Sequence, residues 1–153
     1  MASRKLAAPH NGRSDNFSFF LSRSFLIIWF ALINVVNITG LFTRWYLTVP
    51  WLDSVLHFAG GFWVGLVFFA LVREYVPELE DGRHALLVLS VFLISGAALV
   101  GVFWEFFEFI LDHTINFWNH APLAQASAAD TMSDLFFDLV GGVGALLFRL
   151  ILG

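Results

Sequence analysis

Four continuous apolar runs constrain this chain more than any other feature. They lie at about residues 24–42, 55–72, 85–111 and 135–152. Each is long enough to cross about 30 Å of hydrocarbon as a helix of roughly 20 residues. Inside a bilayer every backbone N–H and C=O must find a partner within the protein, so only helices and closed barrels span it. Barrel strands alternate lipid-facing and lumen-facing residues, and these runs do not alternate. The fold class is therefore all-α: a polytopic membrane protein with four transmembrane helices. Composition points the same way. Only 13% of the residues are charged, against about 25% in an ordinary soluble domain. With 59% hydrophobic residues in 153, one soluble core could not bury the excess.

Residues 1–16 are polar, contain Pro9 and Gly12 and lack an apolar period, so they read as a flexible tail. Residues 17–153 form a single four-helix domain. The first apolar run is too long for a signal peptide, and no small-residue cleavage site follows it. Of the eight basic residues, Arg4, Lys5, Arg13, Arg23, Arg73, Arg83 and Arg149 fall on one side of this topology, and Arg44 alone falls on the other. The positive-inside rule then places both termini in the cytoplasm, N-in/C-in. Trp45, Trp51 and Trp118 sit near the opposite boundary, where indole rings are favoured. There is no cysteine, which excludes disulfides, thiolate metal sites and cysteine nucleophiles. No basic run with interleaved aromatics suggests nucleic acid as a partner.

Drawing the topology collects the acids. Seven of the twelve carboxylates occur at the outer ends of spans two, three and four: Asp53, Glu105, Glu108, Asp112, Asp130, Asp134 and Asp138. His57 joins them, with His113 and His120 in the adjoining loop. At about 100° per residue, Glu105, Glu108 and Asp112 project within roughly 60° of one another. Asp53 and His57 are four apart and share a helix face. Asp130, Asp134 and Asp138 form an i, i+4, i+8 row that drifts by about 80°. Blander roles compete for some of them. Asp130 or Thr131 is a candidate cap for span four and Asp53 for span two, while Asp112, His113 and His120 suit a solvated boundary. His57, Glu105 and Asp138 interrupt apolar sequence about one turn inside the hydrocarbon, where an ionisable group costs a few kcal/mol and normally pairs or lines a pathway.

Three carboxylates cannot share such a place ionised without protons or a cation. Carboxylate oxygens with an imidazole suit a divalent ion of the Mg, Mn, Ca, Fe or Zn type. The expected metal ligands are Asp53, His57, Glu105, Glu108, Asp134 and Asp138, with Asp112 and Asp130 as further candidates. Glu-x-x-Glu facing Asp-x-x-x-His follows the ligand logic of carboxylate-bridged metal bundles. Glycines at 60, 61, 65, 96, 101, 141, 142 and 144 mark candidate close helix contacts, Gly61-x-x-x-Gly65 among them.

Three stretches carry a family resemblance: Asp53-x-x-x-His57-Phe58 with Gly61 after it, Trp104-Glu105-x-x-Glu108-Phe109, and Asp130-Thr131-x-x-Asp134. Over about residues 50–145 the chain resembles the YjdF-like bacterial inner-membrane proteins and, more distantly, VanZ-like membrane proteins. The YjdF-like pattern has a further acid just before the Asp-Thr pair, where this chain has Gln125-Ala126-Ser127; Asp138, one turn deeper, is the candidate substitute. The resemblance implies a multi-pass protein of the bacterial inner membrane and no particular activity. Function then divides three ways: a cation site, with metal-dependent chemistry on a lipid or envelope substrate; a proton or metal-ion transporter or channel component; or a structural accessory subunit. Whether the protein is an enzyme stays open, and a homo-oligomer is compatible with all three. The inner halves of spans two to four carry few polar groups, which favours a dead-end site over a through path.

Overall fold

The computed structural model describes residues 17–80, 83–116, 124–125 and 127–152. The expected tail at 1–16 lies outside the described residues, as do Asp81, Gly82, Trp118 and His120. Four long helices follow in order: α1 (Arg23–Thr43), α2 (Leu52–Tyr75), α3 (Ala85–Leu111) and α4 (Ala128–Leu152). All four are long and apolar enough to cross a membrane, and the described residues include no strand.

The helix ends depart from expectation in informative ways. Helix α4 begins at Ala128 rather than 135, because hydropathy marks the part of a helix suited to hydrocarbon and not the helix itself. Its cap is Ser127, whose Oγ accepts from the Asp130 backbone N–H at 3.1 Å. Asp130 and Thr131 therefore lie inside the helix, where acids in the first turns complement the dipole. Helix α2 begins at Leu52 with Trp51 at the cap and no side-chain cap bond. Asp53 is thus a first-turn residue and not the cap. Helix α1 is capped by Ser22, whose Oγ accepts from Phe25 N at 3.3 Å. It ends on Arg44 in the left-handed conformation (φ 60°), whose N–H turns back onto the Gly40 and Leu41 carbonyls. A one-turn helix, Trp45–Thr48, then folds against α1 through Tyr46, whose hydroxyl donates to Asn37 Oδ1 at 2.8 Å.

Helices α2 and α4 form the closest pair, α3 packs on both, and α1 docks on α2. Small residues make the α2–α4 approach possible. A Cβ on Gly61 would overlap the Asp138 backbone, and one on Gly141 would overlap the Phe58 carbonyl. Gly60, by contrast, faces open space. Two indoles fasten α1 to α2: Trp63 Nε1 donates to the Leu26 carbonyl at 2.8 Å and Trp29 Nε1 to the Ala59 carbonyl at 3.3 Å.

The apolar core gathers at one end of the bundle, where Phe17, Phe69, Val72, Leu89, Leu93 and Leu146 pack together. Arg149 lies over the Phe69 ring there, 5.7 Å from its centroid, and an exposed Arg23–Glu74 pair ties the start of α1 to the end of α2 at 3.1 Å. The other end of the bundle is where the acids meet.

Candidate metal centre

Three helices deliver the site. Helix α2 supplies Asp53 and His57 one turn apart, α3 supplies Glu105 and Glu108, and α4 supplies Asp134 and Asp138. Of these, His57, Glu105, Glu108, Asp134 and Asp138 are buried, and Asp53 is half-buried. His57 is the centre of the arrangement. Its Nδ1 lies 3.2 Å from Asp138 Oδ2, and its Nε2 lies 3.7 Å from Asp53 Oδ1 and 3.9 Å from Glu105 Oε1. In the tautomer protonated at Nδ1, which donates to the Asp138 carboxylate, the Nε2 lone pair faces the other acids.

The two glutamates are held alike. Glu105 Oε2 accepts from Gln125 Nε2 at 2.9 Å, and Glu108 Oε1 accepts from Trp104 Nε1 at 2.9 Å. In each case the second oxygen, Glu105 Oε1 and Glu108 Oε2, is buried without a hydrogen-bond partner among the described residues. Glu105 is only 4% exposed and Glu108 7%. Leaving a buried carboxylate oxygen unmatched costs more than leaving a neutral group unmatched, about 1–3 kcal/mol or above. Two such oxygens on glutamates grouped with one imidazole therefore need a common explanation.

Donor atoms of His57, Glu105 and Glu108 lie within 4.8 Å of one another, and so do those of Asp53, His57 and Asp134. Ligand atoms bound to one cation at about 2.0–2.5 Å are separated by at most about 5 Å, so each group is compact enough to close on an ion.

The remaining acids have other surroundings. Asp138 falls outside both donor groups and stands behind His57, in the place of the carboxylate that fixes the tautomer and orientation of a metal-binding imidazole. Gly101 makes room for it, since a Cβ there would overlap Asp138 Oδ2. Asp112 also lies outside both groups. It is buried, and its two oxygens accept from the backbone N–H groups of Ala124 and Gln125, each at 2.8 Å. It is therefore not a solvated boundary residue. By clamping that segment it places Gln125 against Glu105. Asp130 is half-buried and outside both groups, one turn beyond Asp134. His113 is exposed, stacks on Phe109 with ring centroids 4.0 Å apart, and belongs to neither donor group. Tyr46, beyond the end of α1, has its phenol pushed up out of the usual range by burial first and then by the Asp53, Glu108 and Asp134 carboxylates.

Gln125 and Trp104 are site residues that residue-type reasoning passes over. Trp104 could have been found from its i, i+4 spacing to Glu108. Gln125 could not, because its contact crosses from the segment before α4 to α3.

Fold and site together define a class, the polytopic helical membrane protein with a buried acid–imidazole cluster at one end of its bundle. Within that class the chain belongs to the family of predicted membrane proteins DUF2238, whose family model matches residues 13–153 and so takes in all four helices. It is also similar to an uncharacterized protein of Thermotoga maritima, with 31% identity over 105 residues, 69% of this chain and 50% of that protein. The match thus spans half the length of that relative. No solved structure matches the chain.

Proposed function

We propose that this membrane protein binds a divalent cation at the acidic end of the bundle, through Asp53, His57, Glu105, Glu108 and Asp134, with Asp138 orienting His57. The observation that carries the reading is the pair of buried oxygens without a hydrogen-bond partner, Glu105 Oε1 and Glu108 Oε2, on two glutamates whose donor atoms lie within 4.8 Å of those of His57. A purely structural role for these acids would match each oxygen to a donor, as Asp112 is matched. An ion held there would serve as a Lewis acid, polarising a carbonyl or phosphoryl oxygen or activating water. The bilayer is the surrounding solvent, and a lipid or envelope molecule is the substrate class within reach.

Transport fits less well. An ion continuing through the bundle would have to cross the layer of Phe69, Val72, Leu89 and Leu93, among the most buried side chains in the protein. That layer supports a site reached from one end. The bias of basic residues toward the opposite end makes the acidic end the outer one, in a bacterial inner membrane, and the YjdF-like resemblance fits the family to which the chain belongs.

Chelator-stripped, detergent-purified protein reloaded with Mn²⁺ or Zn²⁺ should retain about one or two ions per chain. Glu105→Gln and His57→Ala should each lower that stoichiometry or the affinity. Undiminished binding by both variants, or no binding by the parent, would end the reading.

A further inference from the structure

A cleft of about 100 Å³ begins at the acidic cluster and continues down the bundle between α1 and α3, floored by α2. Its lining changes character along its length. At the acidic end it is Asn37, Tyr46, Asp53, His57, Glu108 and Asp138; further in it becomes Phe30, Ile33, Trp63, Val64, Ala97 and Val100. Both α1 and α3 lean on α2 rather than on one another. Phe30 and Val100, at the two lips, remain substantially exposed. The cleft therefore opens sideways, toward the hydrocarbon of the bilayer.

Its length is informative. From Asp53 to Val64 on α2, and from Glu108 to Ala97 on α3, it runs about 16 Å at about 1.5 Å per residue. That is close to half of the roughly 30 Å hydrocarbon thickness, the depth of one leaflet. Gly60 stands in the wall, and a Cβ built there meets nothing within 4 Å. A small residue that no neighbouring helix requires leaves space for something else.

We infer that the groove takes one acyl chain of a membrane glycerolipid, entering between α1 and α3, with the ester carbonyl of that chain at the Asp53–His57–Glu108 end. The chemistry of the head follows from the lining. Among the described residues no Lys or Arg lines the cleft to pair with an anionic phosphate, whereas the carboxyl groups of Asp53, Glu108 and Asp138 do, so a neutral carbonyl oxygen suits that end better. The depth expected from hydropathy agrees, because it sets His57, Glu105 and Asp138 about one turn inside the hydrocarbon boundary, where the first carbons of a lipid chain lie and its phosphate does not. The assignment deepens the cation-site reading and rests on it for the carbonyl end. The chain end rests on the groove alone.

The test uses the full chain reconstituted in phosphatidylcholine vesicles carrying a small fraction of phosphatidylcholine with a photoactivatable diazirine, either at the chain terminus or beside the ester. Labelled positions are mapped by mass spectrometry, with Ile28 and Val91, exposed apolar positions outside the cleft lining, as reporters of ordinary lipid contact. Terminal diazirine should label Phe30, Trp63 and Ala97; the ester-proximal one should label Asn37, Tyr46 and Trp104. Gly60→Leu builds into the groove from a Cβ position that meets nothing within 4 Å, so groove labelling should fall about tenfold relative to Ile28 while Mn²⁺ stoichiometry stays unchanged. Groove labelling equal to that at Ile28 and indifferent to Gly60→Leu would overturn the inference and leave the cation site standing. Loss of ester-proximal labelling order in a protein that binds no Mn²⁺ would overturn the carbonyl assignment together with the cation reading.

Discussion

Asp138→Asn tests the part of the proposed cation site in which Asp138 orients His57 and does not ligate the ion. The substitution preserves shape and removes a charge 3.2 Å from His57 Nδ1, in a buried setting. Two independent scales estimate its effect. Loss of a carboxylate behind a metal-binding histidine typically costs 10- to 100-fold in metal affinity, which is about 1.4–2.7 kcal/mol. A hydrogen bond to a charged group is worth about 1.5–3 kcal/mol. Their agreement sets the expectation: Mn²⁺ or Zn²⁺ should bind Asp138→Asn about 10- to 100-fold more weakly, by isothermal titration in detergent, without loss of stoichiometry. Gly101→Ala reaches the same end without a charge change, because its new methyl would occupy the place of Asp138 Oδ2. The decisive measurement is the cycle with His57→Ala. If Asp138 acts through the imidazole, adding Asp138→Asn to His57→Ala changes affinity by no more than about 0.5 kcal/mol. Full additivity of the two losses would refute the orienting role and return Asp138 to the ligands.

Four other expectations accompany it. Gly61→Leu should weaken the α2–α4 contact by at least about 1–3 kcal/mol, read as a lower thermal midpoint in detergent; an unchanged midpoint contradicts the close crossing. Asp112→Ala removes two charge-assisted bonds to Ala124 and Gln125 and should cost about 2–4 kcal/mol, with faster proteolysis near residue 124 as the local readout; wild-type stability and cleavage would refute the clamp. Cation affinity should fall as pH falls, because protons and the ion compete for the same buried carboxylates, by about one log unit per pH unit for each proton displaced. Proton release measured in buffers of different ionisation enthalpy checks this, and a pH-independent affinity would contradict carboxylate ligation. Finally, in this cysteine-free chain, Thr48→Cys should react with an impermeant thiol reagent added outside intact cells and Arg83→Cys only after permeabilisation; the reverse pattern would invert the orientation.

The sequence alone, through hydropathy and length, was enough to show a helical membrane protein with four helices long and apolar enough to span the bilayer. The physical reason is one-dimensional: a bilayer admits only long, continuous apolar helices or closed barrels, so hydropathy and length suffice. It also placed the acids and His57 at one end, because helix direction alternates from span to span and axial position is counted in residues. Rotation about the helix axes was legible only in part. Spacing put Asp53 with His57 and Glu105 with Glu108, whereas which nitrogen of His57 meets which carboxylate depends on how closely α2 and α4 approach across Gly61 and Gly141. Side-chain contacts followed from that approach. Asp138 meets His57 Nδ1, Asp112 became a clamp on the segment before α4, and Gln125 and Trp104 emerged as the donors that hold one oxygen of each glutamate. The lateral groove belongs entirely to the tertiary structure, since it exists only where α1 and α3 both lean on α2, and no single helix carries a record of that gap.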